Sequence, residues 1–112
     1  MSPITTHVLD TAKGQPAAGI EVRLELIQNG QSTLVVEGVT DEDGRIMQWG
    51  QDHFEQHHQT GHYQITFNTD PYHQGLGFFP QVVIPFRVTD TDAHYHVPLL
   101  LSPYSYSTYR GS

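Results

Sequence analysis

The sequence contains no cysteine. That one absence removes disulfides, zinc–thiolate centres, iron–sulfur clusters and thiol nucleophiles together, and leaves the redox compartment open. Basic residues are scarce: 5 Lys and Arg stand against 12 Asp and Glu, a net charge of −7 with histidine neutral. Binding along a phosphate backbone needs clustered cations, so nucleic acid is not an expected partner. Apolar runs extend only a few residues, as in Val97 to Leu101, so no membrane span is expected. The opening Met1-Ser2-Pro3-Ile4-Thr5-Thr6 has neither a basic nor an apolar segment. No secretory signal is read there, and a cytoplasmic location is expected. Helical periodicity over a long window is missing as well.

The length, 112 residues, suits one domain spanning 1–112. The hydrophobic share of 37% is a little low, and an aromatic share of 11% compensates because each ring buries a large area. Association between subunits would help so small a core. Alternation with period two dominates. Ile20, Val22, Leu24 and Leu26 fall on one face of a strand, with Glu21, Arg23 and Glu25 on the other. Thr5 to Leu9, Thr33 to Val39, Tyr63 to Phe67, Val82 to Val88, His94 to Leu101 and Tyr104 to Tyr109 read as further strands. Pro85 marks its strand as an edge or a bulge. Asn29-Gly30 between apolar runs is a hairpin signal, and turns are read at 13–16, 41–44 and 89–92. Short strands at this spacing predict an all-β antiparallel sandwich. Two short helical turns are readable, at Gln51 to His58 and at Asp70 to Gly75.

The conspicuous feature of the composition is its 8 histidines. Histidine titrates near neutral pH and ligates metals, so chemistry is sought there. His94 and His96 share a face if their segment is a strand. They read either as two ligands of a metal site or as ordinary histidines, one exposed and one hydrogen-bonded. His53, His57, His58 and His62 lie among Gln, Thr, Gly and Asp, which reads as a solvated loop with at most adventitious metal affinity. Arg45 follows the acidic turn Asp41-Glu42-Asp43-Gly44. It either pairs with those neighbours or directs a planar donor fork at a carbonyl or carboxylate. Tyr109-Arg110-Gly111-Ser112 follows directly on a strand pattern, reading as a tail or as a hydroxyl and a guanidinium set at a strand end.

Several segments together resemble one family. Leu100-Leu101-Ser102-Pro103-Tyr104-Ser105-Tyr106-Ser107-Thr108 is similar to the last two strands of transthyretin, and Ile4 to Thr11 followed by Gly14-Gln15-Pro16-Ala17 is similar to its opening. His7, Asp43-Gly44-Arg45, His94-Tyr95-His96-Val97-Pro98-Leu99-Leu100 and the closing Tyr109-Arg110-Gly111-Ser112 resemble the transthyretin-related 5-hydroxyisourate hydrolases of urate degradation. The resemblance spans the chain. It implies a transthyretin-like β-sandwich of about eight strands with one short helix near Asp70 to Gly75. It also implies a homotetramer, a dimer of dimers with sites between subunits, and no metal or organic cofactor. Residue by residue, it carries catalytic roles to His7, Arg45 and His96, and substrate-binding roles to Tyr109, Ser112 and Arg110. His94 matches no catalytic position of the family.

The residue types suit that chemistry. Opening a cyclic amide with water requires that water lose a proton, that an oxyanion be tolerated and that the leaving nitrogen gain a proton. A histidine with a pKa of about 6.5 can perform either proton transfer. Arg45, always charged, can polarise the carbonyl. His7 is the expected base and His96 its partner. A transthyretin-like carrier is the alternative, because fold does not fix function. A carrier cleft would be apolar and lack the paired imidazoles and guanidinium. A metal hydrolase using His94, His96 and a third ligand is a further alternative, which chelation would separate.

Overall fold

The computed structural model describes residues 1–112. In chain order the elements are β1 (Ile4–Asp10), β2 (Gln15–Pro16), β3 (Glu21–Gln28), β4 (Gln31–Val39), β5 (Arg45–Ile46), α1 (Gln51–Gln56), β6 (Gly61–Asn68), β7 (Val82–Val88), β8 (Tyr95–Leu101) and β9 (Tyr106–Thr108). One sheet runs β4-β3-β6-β7, and the other runs β2-β1-β8-β9 with β5 also paired to β1. This is the two-sheet sandwich that the alternating pattern predicts.

Local chemistry sets the registers. Asn29 and Gly30 adopt φ of 52° and 76°, the left-handed pair that a two-residue hairpin loop needs, and Gln28 pairs directly with Gln31. Pro85 sits in β7, an edge of its sheet, where a missing N–H is tolerated. Val22, Leu24 and Leu26 of β3 lie beside Phe67, Ile65 and Tyr63 of β6. These side chains are buried with Ile4, Val8, Val97, Leu99 and Leu101 from the other sheet. Trp49 closes one end of this core: its indole N–H donates to the Ile4 carbonyl at 2.8 Å, and its backbone is tied on both sides to the Ser2 hydroxyl.

Two expectations need correction. The sandwich is not wholly antiparallel, because β1 and β8 pair in parallel from Ile4↔Tyr95 to Asp10↔Leu101. Alternation with period two is the same in both pairings, so the direction of a neighbour cannot be read from it. The short helix lies at Gln51–Gln56 and not near Asp70 to Gly75. The latter segment forms single turns only. His73 N–H donates to Thr69 O at 3.2 Å, but Gln74 and Gly75 then take φ of 58° and 75°, and left-handed residues end a helix.

The core argument predicts that Leu99→Ala, which truncates a side chain with no exposure, lowers stability by about 2–5 kcal/mol. The check is a lower urea midpoint at an unchanged denaturant slope.

Candidate functional site

The outer face of the β5-β1-β8 layer collects the polar side chains. Ile4, Thr6 and Val8 of β1 alternate with Thr5, His7 and Leu9, and Val97 and Leu99 of β8 alternate with His96, Pro98 and Leu100. The inward set fills the core, so Thr5, His7 and His96 share the outward face. Register does the rest. Thr5 is the partner of His96, and His7 is the partner of Arg45 on β5, where the buried Ile46 turns the arginine outward. Arg45, His7 and His96 thus come from three adjacent strands. The two imidazoles stand 6.5 Å apart between ring centres, inclined by 35°.

The turn carrying Arg45 is built tightly. Asp41 Oδ1 accepts from the backbone N–H of Asp43 at 2.9 Å and of Arg45 at 3.0 Å. Gly44 has φ 73°, and a Cβ there would run into the Val8 carbonyl. Its own carbonyl accepts from Val8 N–H at 2.7 Å. Of the acidic residues before Arg45, Asp41 therefore shapes the turn with its side chain and backbone. They do not neutralise the guanidinium, since the chain's one salt bridge is Arg23–Glu25.

The final residues fold back over β8. Gly111 N–H donates to His96 O at 2.8 Å, forming a bridge beyond β9. A Cβ on Gly111 would lie 2.6 Å from His96 Cδ2, so only glycine lets the backbone cross the imidazole edge without displacing it. The result is a cleft of about 270 Å³ lined by His7, Arg45, His94, His96 and Ser112, with Met1 and Met47 at its rim. Tyr109 and Arg110 sit next door, in a groove of about 340 Å³ that shares His96 and is walled by Phe86, Tyr95 and Val97. The Arg110 guanidinium lies 4.4 Å above the Tyr95 ring. The structure thus brings four of the six residues named from the sequence into one cleft, and the other two into the adjoining hollow.

Both imidazoles are held toward neutrality. Burial is the main cause at His7 and lowers its pKa from 6.5, helped by the positive charge of Arg45 and opposed by the Asp43 backbone and the carboxylates of Asp41 and Asp43. His96 is lowered chiefly by burial as well, and then by His94, His7 and Arg45. A neutral imidazole beside a fixed positive charge can accept a proton from water, while the guanidinium stabilises an oxyanion. His94 and His96 do not form a clamp. His94 Nε2 and His96 Nδ1 both point at the Thr5 hydroxyl, at 2.9 and 2.7 Å. No set of three His, Asp or Glu side chains converges in a ligating arrangement. The histidines read as one solvated loop are not one: His53 lies on α1 with its ring centre 6.1 Å from that of His57, His53 and His58 both pack on Phe54, and His62 lies on β6.

Sequence reasoning did not single out Thr5 or assign Gly111 a role. Thr5 was accessible as the outward residue two before His7 on the same strand. The need for glycine at 111 appears only when the tail is laid across the His96 ring.

A family model described as the HIUase/Transthyretin family matches residues 4–111. The 5-hydroxyisourate hydrolase of Pseudomonas aeruginosa is 43% identical, covering 100% of this chain and 93% of that protein. Among solved structures, sea bream transthyretin in complex with thyroxine superposes with a TM-score of 0.84 at 31% identity, covering 97% of this chain and 94% of that one. The 5-hydroxyisourate hydrolase of Klebsiella pneumoniae superposes with a TM-score of 0.77 at 30% identity, covering 97% and 92%.

Two expectations follow from the site. Gly111→Ala will displace the tail or the His96 ring, seen as lost protection of the Gly111 amide against hydrogen exchange. The second concerns pH. Folded-state pKa values below 6.5 at His7, His53, His58 and His96 mean that the unfolded chain binds more protons once pH falls below that value. This contribution to stability is complete above about 6.5 and is lost on acidification toward the lowered values. Thermal midpoints will therefore fall between pH 7.5 and pH 5, and the fall will be smaller in His58→Phe.

Proposed function

The chain belongs to the HIUase/Transthyretin family, and from that premise we propose that it hydrolyses 5-hydroxyisourate in urate degradation. Relatives of that name over nearly the full length support the assignment. The observation that carries it is the outward face of β5-β1-β8, where an unpaired guanidinium stands beside two imidazoles held neutral.

In this reading a water molecule lies between His7 and the bound ring. His7 removes its proton as the oxygen attacks a ring carbonyl carbon. Arg45 holds the oxyanion that forms, with up to five N–H donors that keep their charge throughout. The carbon–nitrogen bond of the ring then breaks, leaving a carboxylate on carbon. His96 gives a proton from Nε2 to the departing nitrogen, which becomes part of a ureido group, and the proton that His7 took from water is passed on to His96, so that neither ring is left charged at the end of the cycle. Ser112 orients the flat substrate from the tail side. Tyr109 and Arg110 extend the binding surface through the groove that His96 shares. The reaction needs no cofactor on this account, because imidazole and guanidinium supply every proton and charge it requires.

A homotetramer, a dimer of dimers, belongs to the same proposal. The cleft lies on an outer sheet face, and a second copy laid over it would exclude water and strengthen the Arg45 interaction in a lower dielectric. Residues 1–112 form one hydrolase domain in this reading, acting in the cytoplasm. No helix is long and apolar enough to cross a membrane.

The second reading is a small-molecule carrier, favoured by the close superposition on thyroxine-bound sea bream transthyretin. A carrier has no use for paired neutral bases beside a bare cation. The cleft's polar lining therefore supports hydrolysis.

The deciding experiment follows the ultraviolet decay of freshly generated 5-hydroxyisourate with and without the protein. Acceleration is expected, unaffected by strong chelation. Arg45→Ala is expected to lose about 10²–10³-fold in kcat, the scale of one oxyanion donor. His7→Ala and His96→Ala should each lose at least about 10²-fold. Wild-type turnover in Arg45→Ala would remove that residue from the mechanism. Chelator-sensitive turnover would overturn the cofactor-free reading.

A further inference from the structure

Thr5 is the one fully buried hydroxyl that faces two imidazoles at once. Its Oγ1 lies 2.7 Å from His96 Nδ1 and 2.9 Å from His94 Nε2, and its own side chain has no exposed surface. The two rings are nearly parallel, inclined by 22°, with centres 6.3 Å apart. A hydroxyl has one proton to give and lone pairs to accept with. When both rings are neutral, the bridge is satisfied if the hydroxyl donates to one nitrogen and accepts from the other. One of the two facing nitrogens then carries hydrogen and the other is bare. The tautomer of His96 is thereby coupled to that of His94, and its Nε2 makes no hydrogen bond within the chain. His94 lines the cleft but is only partly buried, and its Nδ1 is free of intrachain partners.

We propose that Thr5 and His94 are positioning residues that act through His96, forming a hydroxyl-bridged path by which a proton reaches the His96 nitrogen that faces the substrate. This rests on the reading of His96 as the acid of the hydrolysis. The transfer balances without any added reagent. At the start His94 carries hydrogen on both nitrogens, the Thr5 hydroxyl donates to His96 Nδ1, and His96 carries hydrogen on Nε2. The leaving nitrogen takes the Nε2 proton. His96 Nδ1 takes the hydroxyl proton, and the Thr5 oxygen takes the Nε2 proton of His94. At the end His96 is neutral with hydrogen on Nδ1, the hydroxyl is restored and points at His94, and His94 is neutral. One proton has moved from His94 to the product. His96 passes through neither a bare imidazolate nor an imidazolium. The proton that His7 took from water can re-enter at His96 Nε2 and run the chain in reverse, which restores His94. The titratable and charged groups facing this path are the His7 imidazole and the Arg45 guanidinium across the cleft and Arg110, whose Nη2 lies 3.5 Å from the His94 carbonyl.

The test uses Thr5→Val, which keeps the shape and removes the hydroxyl, with Thr5→Ser as the rescuing variant and His94→Asn as the change at the outer end. Two measurements are made on each: steady-state hydrolysis and ring ¹⁵N chemical shifts of the substrate-free protein. In the unaltered protein with both rings neutral, the shifts should report the same tautomer for His94 and His96, both Nε2–H or both Nδ1–H, because the facing nitrogens are Nε2 of one ring and Nδ1 of the other. In Thr5→Val that pairing should disappear, kcat should fall about a hundredfold, the lower end of general-acid assistance, and KM should stay within about twofold. Thr5→Ser should restore both readouts. Wild-type kcat in Thr5→Val, or rings whose tautomers are independent in the unaltered protein, would overturn the relay. Should Thr5→Val lose its folded circular dichroism, the kcat and KM criteria apply to His94→Asn, and the tautomer criterion to the unaltered protein. The ring shifts need no substrate and no turnover. Failure of the hydrolase reading would show instead as no acceleration of 5-hydroxyisourate decay by the unaltered protein, whatever the tautomers do.

Discussion

The parallel ladder between β1 and β8 is the constraint on which the site depends. It sets Thr5 against His96 and His7 against Pro98, and the antiparallel pairing of β1 with β5 sets Arg45 against His7. A slip of one residue in either ladder would turn the polar set into the core and the core set into solvent. The ladder is in turn held by apolar packing on its other side, where Ile4, Val8, Val97 and Leu99 are almost wholly buried. The Thr6 hydroxyl adds a bond of 2.6 Å to the Val97 carbonyl from within the same pairing. The polar cleft and the core packing are thus opposite faces of one sheet, and the same alternation that buries one face aims the other.

Much of this architecture is legible in the chain because its rules are local. Alternation locates the long strands, Asn29-Gly30 specifies a hairpin by demanding two left-handed residues, and Pro85 narrows its strand to an edge or a bulge. The candidate site is legible in residue types, since His7, Arg45 and His96 are the groups that such a hydrolysis needs. What could not be read is what depends on partners distant in sequence. The direction of β8 relative to β1 leaves no trace in period two. The competition between the two possible helical turns is settled by backbone conformation at Gln74 and Gly75, and Gln74 carries no local signal for a left-handed angle. Thr5 looks like an ordinary β-branched strand residue until two histidines 89 and 91 positions away are found at its hydroxyl.

The cleft also shows how a strongly acidic chain can keep one positive spot. Asp41 spends its side-chain oxygen on backbone N–H groups, and its carbonyl accepts from Gly44 N–H at 2.9 Å. The Asp41 carboxylate is engaged in shaping the turn, and the guanidinium beyond it has no carboxylate partner. The same arrangement keeps His7 in balance, pushed toward neutrality by burial and Arg45, and pulled partly back by Asp41 and Asp43. The imidazole so held remains a usable base.

The crossing of Gly111 over the His96 ring has an evolutionary side. Within this fold, the step between a reactive cleft and a mere receptacle can be taken at a position that performs no chemistry. One added methyl group would force the tail and the imidazole apart by shifting one or the other, reshaping the cleft while leaving the two-sheet scaffold whole. Divergence between making and carrying small molecules would then need no new architecture, only a change in how the last few residues lie.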